Sequence, residues 1–179
     1  QRGIEQVVCD EHPRATSMEA LARLPLGFKK VGGLTPGNCS GIVDGAAALI
    51  VASGNKMKSN NRKPLARFVA AASCGVDPKL MGIGPVPAIR LLLEHTGLKL
   101  EEIGLFEINE AFGAQLVACE RALGLDRKRL NVNGGAIAIG HPLAATGVRL
   151  ALTLARAMKS RKVKYGIASA CIGGGQGTS

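Results

Sequence analysis

The chain has 179 residues, 46% of them hydrophobic and only 3% aromatic, with 24 glycines. This length and apolar content suit one compact domain with an appended segment and exclude a disordered chain, while so few aromatic rings weigh against a nucleic-acid module. Lys and Arg number 23 against 13 Asp and Glu, a net charge of +10 that attracts polyanions in general: nucleic acid, acidic membrane or a phosphate-rich cofactor. The basic residues gather at Arg127-Lys128-Arg129 and from Arg156 to Lys164, positions that solvated helix C-termini account for. Cys9, Cys39, Cys74, Cys119 and Cys171 contain no Cys-x-x-Cys pair and leave an odd thiol, which points to a reducing compartment. No apolar run approaches the roughly 18 residues of a membrane span, so the chain reads as soluble. Its first residue is Gln1, and the start reads as the interior of a longer protein.

Residues 1 to 35 carry a strand-like piece, Ile4 to Val8, then Asp10-Glu11-His12-Pro13-Arg14, then a helical stretch from Ser17 to Leu24 ended by Pro25. This segment reads as an excursion from the core, and residues 36–179 as the main domain. From Gly41 onward apolar strands alternate with amphipathic helices, the pattern of an α/β layered fold with a mostly parallel sheet and helices on both faces. Ala46 to Ala52 and Leu65 to Ala72 are strand candidates. Val86 to His95 has helical spacing and stops at Gly97, Leu105 to Ile108 is a buried strand, and Ala111 to Leu123 a helix. Asn131 to Asn133 reads as a short strand feeding Gly134-Gly135. Leu150, Leu154 and Met158 line one face of a helix from Ala144 to Lys159, and Val163 to Ala170 is the last complete strand. Gln176 to Ser179 is shorter than the usual strand of ~5 residues, so the last strand is expected to be truncated and to leave an unpaired edge.

Three motifs carry chemistry. In Cys171-Ile172-Gly173-Gly174-Gly175-Gln176-Gly177 a thiol closes an apolar strand and precedes glycines that can aim backbone N–H groups at one point; such donors lower a thiol pKa or hold an oxyanion. A dinucleotide fingerprint is excluded there because no helix follows. In Gly134-Gly135-Ala136-Ile137-Ala138-Ile139-Gly140-His141-Pro142 a histidine sits between a glycine bend and a proline. A neutral imidazole can take a thiol proton near pH 7 and return it as a donor, which suits acyl transfer. In Asn109-Glu110-Ala111-Phe112 the amide can cap the following helix or hold an oxyanion-binding water, and Glu110 can support the helix start or the neighbouring loop. His12, His95 and the other four cysteines lack comparable surroundings.

In order and spacing these motifs resemble the C-terminal half of a thiolase, the acyl-CoA-dependent family that makes or cleaves 3-ketoacyl-CoA thioesters, and the resemblance covers nearly the whole chain. It implies a thiolase-like layered fold and ping-pong acyl transfer, as thiolysis or as reverse Claisen condensation, through an acyl-cysteine on an N-terminal half absent here. By the resemblance His141 activates that nucleophile, Asn109 and His141 form an oxyanion site through a water, Cys171 is the acid/base at the substrate α-carbon, and Gly173 contributes an N–H to a second oxyanion hole. Residues 1–35 resemble the end of a loop excursion that touches coenzyme A. Ser40, Met81 and Phe112 are similar to residues along the pantetheine arm, and Arg14 and Phe28 to residues near its nucleotide end.

The resemblance implies coenzyme A as substrate with no covalently held cofactor and no metal, acyl-CoA rather than nucleic acid or membrane as partner, and a dimer or tetramer of the complete protein. A bacterial cytoplasm or a mitochondrial or peroxisomal matrix would house it, and the 179 residues alone are expected to be inactive. Gly113, Cys39 and Ala144 depart from the family pattern as small-for-small changes. Decarboxylating ketoacyl synthases share the fold but place a His or Asn where Cys171 stands. A non-catalytic acyl-CoA-binding domain is the remaining alternative.

Overall fold

The computed structural model describes residues 6–179. Residues 6–72 hold little regular structure: α1 (Met18–Ala22), whose Ser17 hydroxyl accepts from the Ala20 N–H, and α2 (Gly54–Ser59), capped in the same way by Ser53. The helix expected from Ser17 to Leu24 is therefore present and shorter. Ile4 and Glu5 lie outside the described residues, and Gln6 to Val8 form no strand. Neither Ala46–Ala52 nor Leu65–Ala72 is a strand either. Their β-branched and apolar residues have the propensity, but apart from Ala72 at the very end no described segment ladders against them, and Ile50 is left 98% exposed.

The layered domain follows in the order β1 (Ser73–Gly75), α3 (Pro85–Thr96), β2 (Leu105–Ile108), α4 (Gly113–Leu123), α5 (Ala136–Ile139), α6 (Thr146–Arg161), β3 (Gly166–Ile172) and β4 (Gln176–Thr178). Left-handed glycines, Gly97 at φ 67° and Gly124 at φ 65°, stop α3 and α4. The sheet order is β1-β4-β3-β2, and only the β2–β3 pair is parallel. The chain between β2 and β3, which contains α4, α5 and the amphipathic α6, supplies the crossover that a parallel pair requires. Helices cover both faces of the sheet. Phe106, Ile108 and Ile167 pack with Val86, Ile89 and Leu92 of α3 and Cys119 and Leu123 of α4, while Leu105 and Ala168 pack with Leu154, Ala157 and Met158 of α6. The period of two along β2 thus separates two apolar layers.

Two expectations about the sheet need correction. Gln176–Thr178 does form a strand, because the glycine turn sends the chain straight back: Gly174 and Gly175 take φ of 87° and 91°. A turn this short permits only an antiparallel return, so the sheet is mixed. Nor does β4 leave an open edge, since β1 pairs along its far side and Ala72 exchanges two backbone hydrogen bonds with Ser179 at 3.0 and 2.9 Å. Asn131–Asn133 is no strand; the Asn131 N–H donates to the Phe106 carbonyl at 2.9 Å, and its side chain continues the pairing, accepting from the Ile108 N–H and donating to the Ile108 carbonyl, both at 2.8 Å.

Gly177 lies where the 78–84 turn crosses β4 so closely that a Cβ would overlap the carbonyl of Gly84. Gly147, inside α6, has open space around it, with nothing within 4 Å of the place a Cβ would take. Gly177→Ala should therefore destabilise by about 1–3 kcal/mol through overpacking, and Gly147→Ala should stabilise by about 0.5–1 kcal/mol through helix propensity. Urea unfolding of the two variants checks both signs.

Candidate active site

β2 and β3 end side by side, and the Asn109 N–H extends their ladder to the Ser169 carbonyl at 2.9 Å. Asn109, 1% exposed, leaves the end of β2, and Cys171, half-buried, lies near the end of β3. Ligand sites of parallel sheets lie at such carboxyl ends. By the strand period Cys171 shares the face of Ile167 and Ser169, towards α3 and α4, and it is close enough to Cys119 of α4 for the two thiols to influence each other.

His141 is brought to Asn109 by three local features. Gly140 has φ of 90°, and a Cβ there would meet Val43 at 2.5 Å. The His141 N–H donates to the Gly41 carbonyl at 2.8 Å, fastening the loop to the 41–43 segment. The Pro142 carbonyl then receives the Thr146 N–H at 2.9 Å and its hydroxyl at 3.0 Å, starting α6. The imidazole stands with Nε2 3.3 Å from the Asn109 amide nitrogen and Nδ1 2.6 Å from the Thr146 hydroxyl.

Glu110 supports the loop rather than the chemistry. Its carboxylate accepts from Asn131 Nδ2 at 3.0 Å and from the Ile137 N–H at 3.1 Å, and it fills the space that a Cβ on Gly135 would need. The 131–137 loop is thereby tied to the end of β2.

Burial pushes the Cys171 thiol pKa up, and its own backbone hydrogen bond offsets only part of that. The glycine turn therefore does not leave a resting thiolate, contrary to the lowered pKa its N–H groups suggest. Burial, helped by the Arg149 charge, pulls His141 below its ordinary value, so the imidazole is neutral near pH 7. Cys119 is raised to about 11 by burial, an inert core thiol.

Gly173 sits on the exposed hairpin turn with open space around it. The Ser40 hydroxyl donates to the Ala111 carbonyl at 3.1 Å, and Phe112 meets Phe28 edge to face with centroids 5.8 Å apart. Ser40, Phe112 and Phe28 thus gather at the start of α4. Met81 lies in the Pro78–Ile83 turn that packs on α4 and β3, and Arg14 is on the exposed N-terminal segment.

The sequence motifs omit three residues of this site. Arg149 of α6 donates to Glu107 at 2.9 Å and points a second nitrogen at the Asn109 carbonyl oxygen, 3.5 Å away; Thr146 completes the set. Glu107, a carboxylate inside an apolar strand two residues before Asn109, was the available signal, because alternate strand residues share a face. Thr146 and Arg149, three apart on α6, share a helix face in the same way.

This α/β architecture sets a loop histidine beside an amide at the end of one parallel strand, with a thiol near the end of the adjoining strand. The thiolase C-terminal-domain model matches residues 62–179, and the thiolase N-terminal-domain model matches residues 1–55. The chain belongs to the thiolase family. It is 52% identical to the mitochondrial 3-ketoacyl-CoA thiolase of Bos taurus over 99% of its own length and 45% of that protein. Against the acetyl-CoA acetyltransferase of Syntrophomonas wolfei it is 52% identical over 95% of its length and 43% of the other. The crystal structure of the Bacillus anthracis acetyl-CoA acetyltransferase superposes with a TM-score of 0.92 at 50% identity, covering 94% of this chain and 43% of that one. Human mitochondrial 3-ketoacyl-CoA thiolase in complex with CoA gives 0.87 at 46% identity, with the same coverage of 94% and 43%. The chain thus spans less than half the length of these relatives. No described helix is long and apolar enough to cross a membrane.

Glu107 is raised to about 7 from an ordinary 4.5 because burial outweighs the attraction of Arg149, with Glu110 adding a smaller push in the same direction. Between those values the native state holds a proton that the unfolded chain has released, so this carboxyl makes stability fall as pH rises through the window. Urea titrations across it should show a shallower fall in Glu107→Gln than in the wild type. An equal slope in both would mean that Glu107 is ionised throughout.

Proposed function

We propose that this chain supplies the acid/base and oxyanion-binding half of a thiolase that transfers acyl groups between 3-ketoacyl-CoA and CoA, by thiolysis or by the reverse condensation. The observation that carries the proposal is the approach of His141 Nε2 to the Asn109 amide at 3.3 Å, beside the strand that delivers Cys171. The relatives named above act, by their names, on 3-ketoacyl-CoA and acetyl-CoA, and one was crystallised with CoA.

In the proposed reaction the nucleophilic cysteine belongs to an N-terminal half outside these 179 residues. His141 Nε2 takes its thiol proton, the thiolate attacks the thioester carbonyl, and the C–S bond to CoA breaks, with His141 returning the proton to the departing CoA thiolate. For condensation, Cys171 first gives up its thiol proton to solvent, and the thiolate so formed removes a proton from the α-carbon of a second acyl-CoA. The resulting enolate attacks the acyl-cysteine carbonyl and expels the cysteine thiolate, which takes that proton back from the Cys171 thiol. A water held by the Asn109 amide beside His141 would hold the enolate oxygen, and the Gly173 N–H the oxygen of the acyl-enzyme. Ser40, Phe112 and Phe28 would flank the pantetheine path, with Met81 and Arg14 farther along the CoA. The exposed apolar residues Ile50 and Val51, inside the stretch that the N-terminal-domain model matches, and Phe68 fit a surface that the rest of that domain covers. A dimer or tetramer, housed in a bacterial cytoplasm or an organelle matrix, is the accompanying reading, and the 179 residues by themselves should be inactive.

In the complete polypeptide, His141→Ala should slow acyl-enzyme formation from acetyl-CoA by about 10²–10⁴-fold. Cys171→Ser should leave that burst in place and lose carbon–carbon bond formation by a comparable factor. Rapid-quench detection of the acyl-enzyme, beside an α-proton exchange assay, separates the two defects; an equal loss of acylation in both variants would sink the assignment.

CoA should also protect Cys171 from alkylation at moderate salt, while duplex DNA binds weakly and without saturation. The scattered basic clusters favour a few phosphate contacts over the long cationic stripe that a duplex needs. Unchanged alkylation in saturating CoA, together with tight salt-sensitive DNA binding, would reverse the conclusion.

A further inference from the structure

Behind the site lies a charge that the proposed reaction does not use. Glu107 is 2% exposed, and its ion pair with Arg149 at 2.9 Å spans from β2 to α6. Arg149 also has a buried Nε without a hydrogen-bond partner among the described residues. A buried ion pair with an orphaned donor contributes little net stability compared with apolar residues of the same shape, so packing alone gives weak reason for these residues.

Hydrogen-bond chemistry gives a stronger one. A guanidinium has five donors and no acceptor, so the Asn109 atom that Arg149 faces at 3.5 Å must be the amide oxygen. The atom facing His141 Nε2 is then the amide nitrogen, which can only donate. Nε2 must accept, and the single proton of the neutral ring is left on Nδ1. There it meets the Thr146 oxygen at 2.6 Å, and the Thr146 hydroxyl passes its own hydrogen to the Pro142 carbonyl at 3.0 Å. Every link runs in one direction, and the direction is set at Arg149. A freely rotating amide would permit the opposite arrangement, with Oδ1 accepting from Nε2–H and the lone pair left on Nδ1, away from the reacting proton.

We propose that Arg149, anchored by Glu107, is a positioning residue that fixes the orientation of the Asn109 amide and thereby holds His141 as the tautomer whose Nε2 is free to take a proton. The consequence for catalysis rests on the thiolase reading above; the consequence for the tautomer does not. Arg149 touches no reacting atom, and its effect should pass through Asn109.

Nitrogen-15 spectra of the histidine rings in the 179-residue chain, recorded a unit or more above the ordinary imidazole value of about 6.5, read the tautomer directly. The wild type should show His141 with its proton on Nδ1, Arg149→Met a mixture of both forms, and Arg149→Lys the wild-type form. In the complete polypeptide Arg149→Met should lower kcat by about 10- to 100-fold and change KM by less than about twofold. It should cause no further loss in an Asn109→Ala background. If Arg149→Met does not fold, Glu107→Leu, which removes the acceptor and keeps roughly the size, takes its place in both measurements with the same expectation. An unchanged tautomer in a folded variant, or losses that add in the Asn109→Ala background, would overturn the proposal. Because the spectra need no turnover, a failure of the acyl-transfer reading would show as an inactive wild type with the tautomer response intact.

Discussion

The parallel ladder between β2 and β3 is the constraint on which the other features rest. Four residues of β2, Leu105–Ile108, are buried on both faces, which places apolar layers above and below and forces α6 across one side. Once the two strands run the same way, whatever follows them emerges at one end of the sheet. Asn109 and Cys171 share that end for topological reasons, although the chain between them is 62 positions long by their numbers. Reversing one strand would send them to opposite ends.

The outer edge of β2 is finished by one backbone bridge, where the Asn131 N–H donates to the Phe106 carbonyl at 2.9 Å, and beyond it by side chains. Asn131, in the left-handed region at φ 44°, offers its amide to both backbone groups of Ile108 as a neighbouring strand would. Glu110 takes the remaining Asn131 hydrogen and the Ile137 N–H. Leaving either partner unmatched would cost about 1–3 kcal/mol at a buried position, so the loop leading to His141 is held as firmly as a strand. The same loop ends at Gly140, where only a residue without Cβ can pass Val43. A rigid edge and one permissive residue together place the imidazole.

Legibility in the sequence tracked how local the cause of each element is. α3, β2 and α4 stood out because a glycine stop or an unbroken apolar run lies within the segment itself, and their ends shifted by no more than two residues. The motifs around His141, Asn109 and Cys171 were visible for the same reason, and the structure brings Asn109 to His141 directly. Segments whose state depends on a distant partner were misread. Ala46–Ala52 has strand propensity without a ladder partner; Gln176–Thr178 has little propensity but is paired on both sides. Asn131 carries the edge through its side chain, which a backbone pattern does not display. Glu107 and Arg149 escaped because each looked ordinary alone, and only their meeting across 42 positions makes a feature.

Burial acts on the two reactive groups with a common result. It raises the Cys171 thiol and lowers the His141 imidazole, so each is driven towards its uncharged form and a standing thiolate–imidazolium pair is disfavoured. An uncharged thiol is a poor base until a substrate supplies donors where negative charge develops. An uncharged imidazole is useful at once, provided its lone pair faces the reacting proton, and ring neutrality alone leaves that choice between two nitrogens open. The low-dielectric setting that keeps both groups neutral therefore creates the need for a fixed tautomer. Arg149 can meet that need because its guanidinium offers donors and no acceptor, whereas a neutral donor such as a hydroxyl could rotate and reverse the chain.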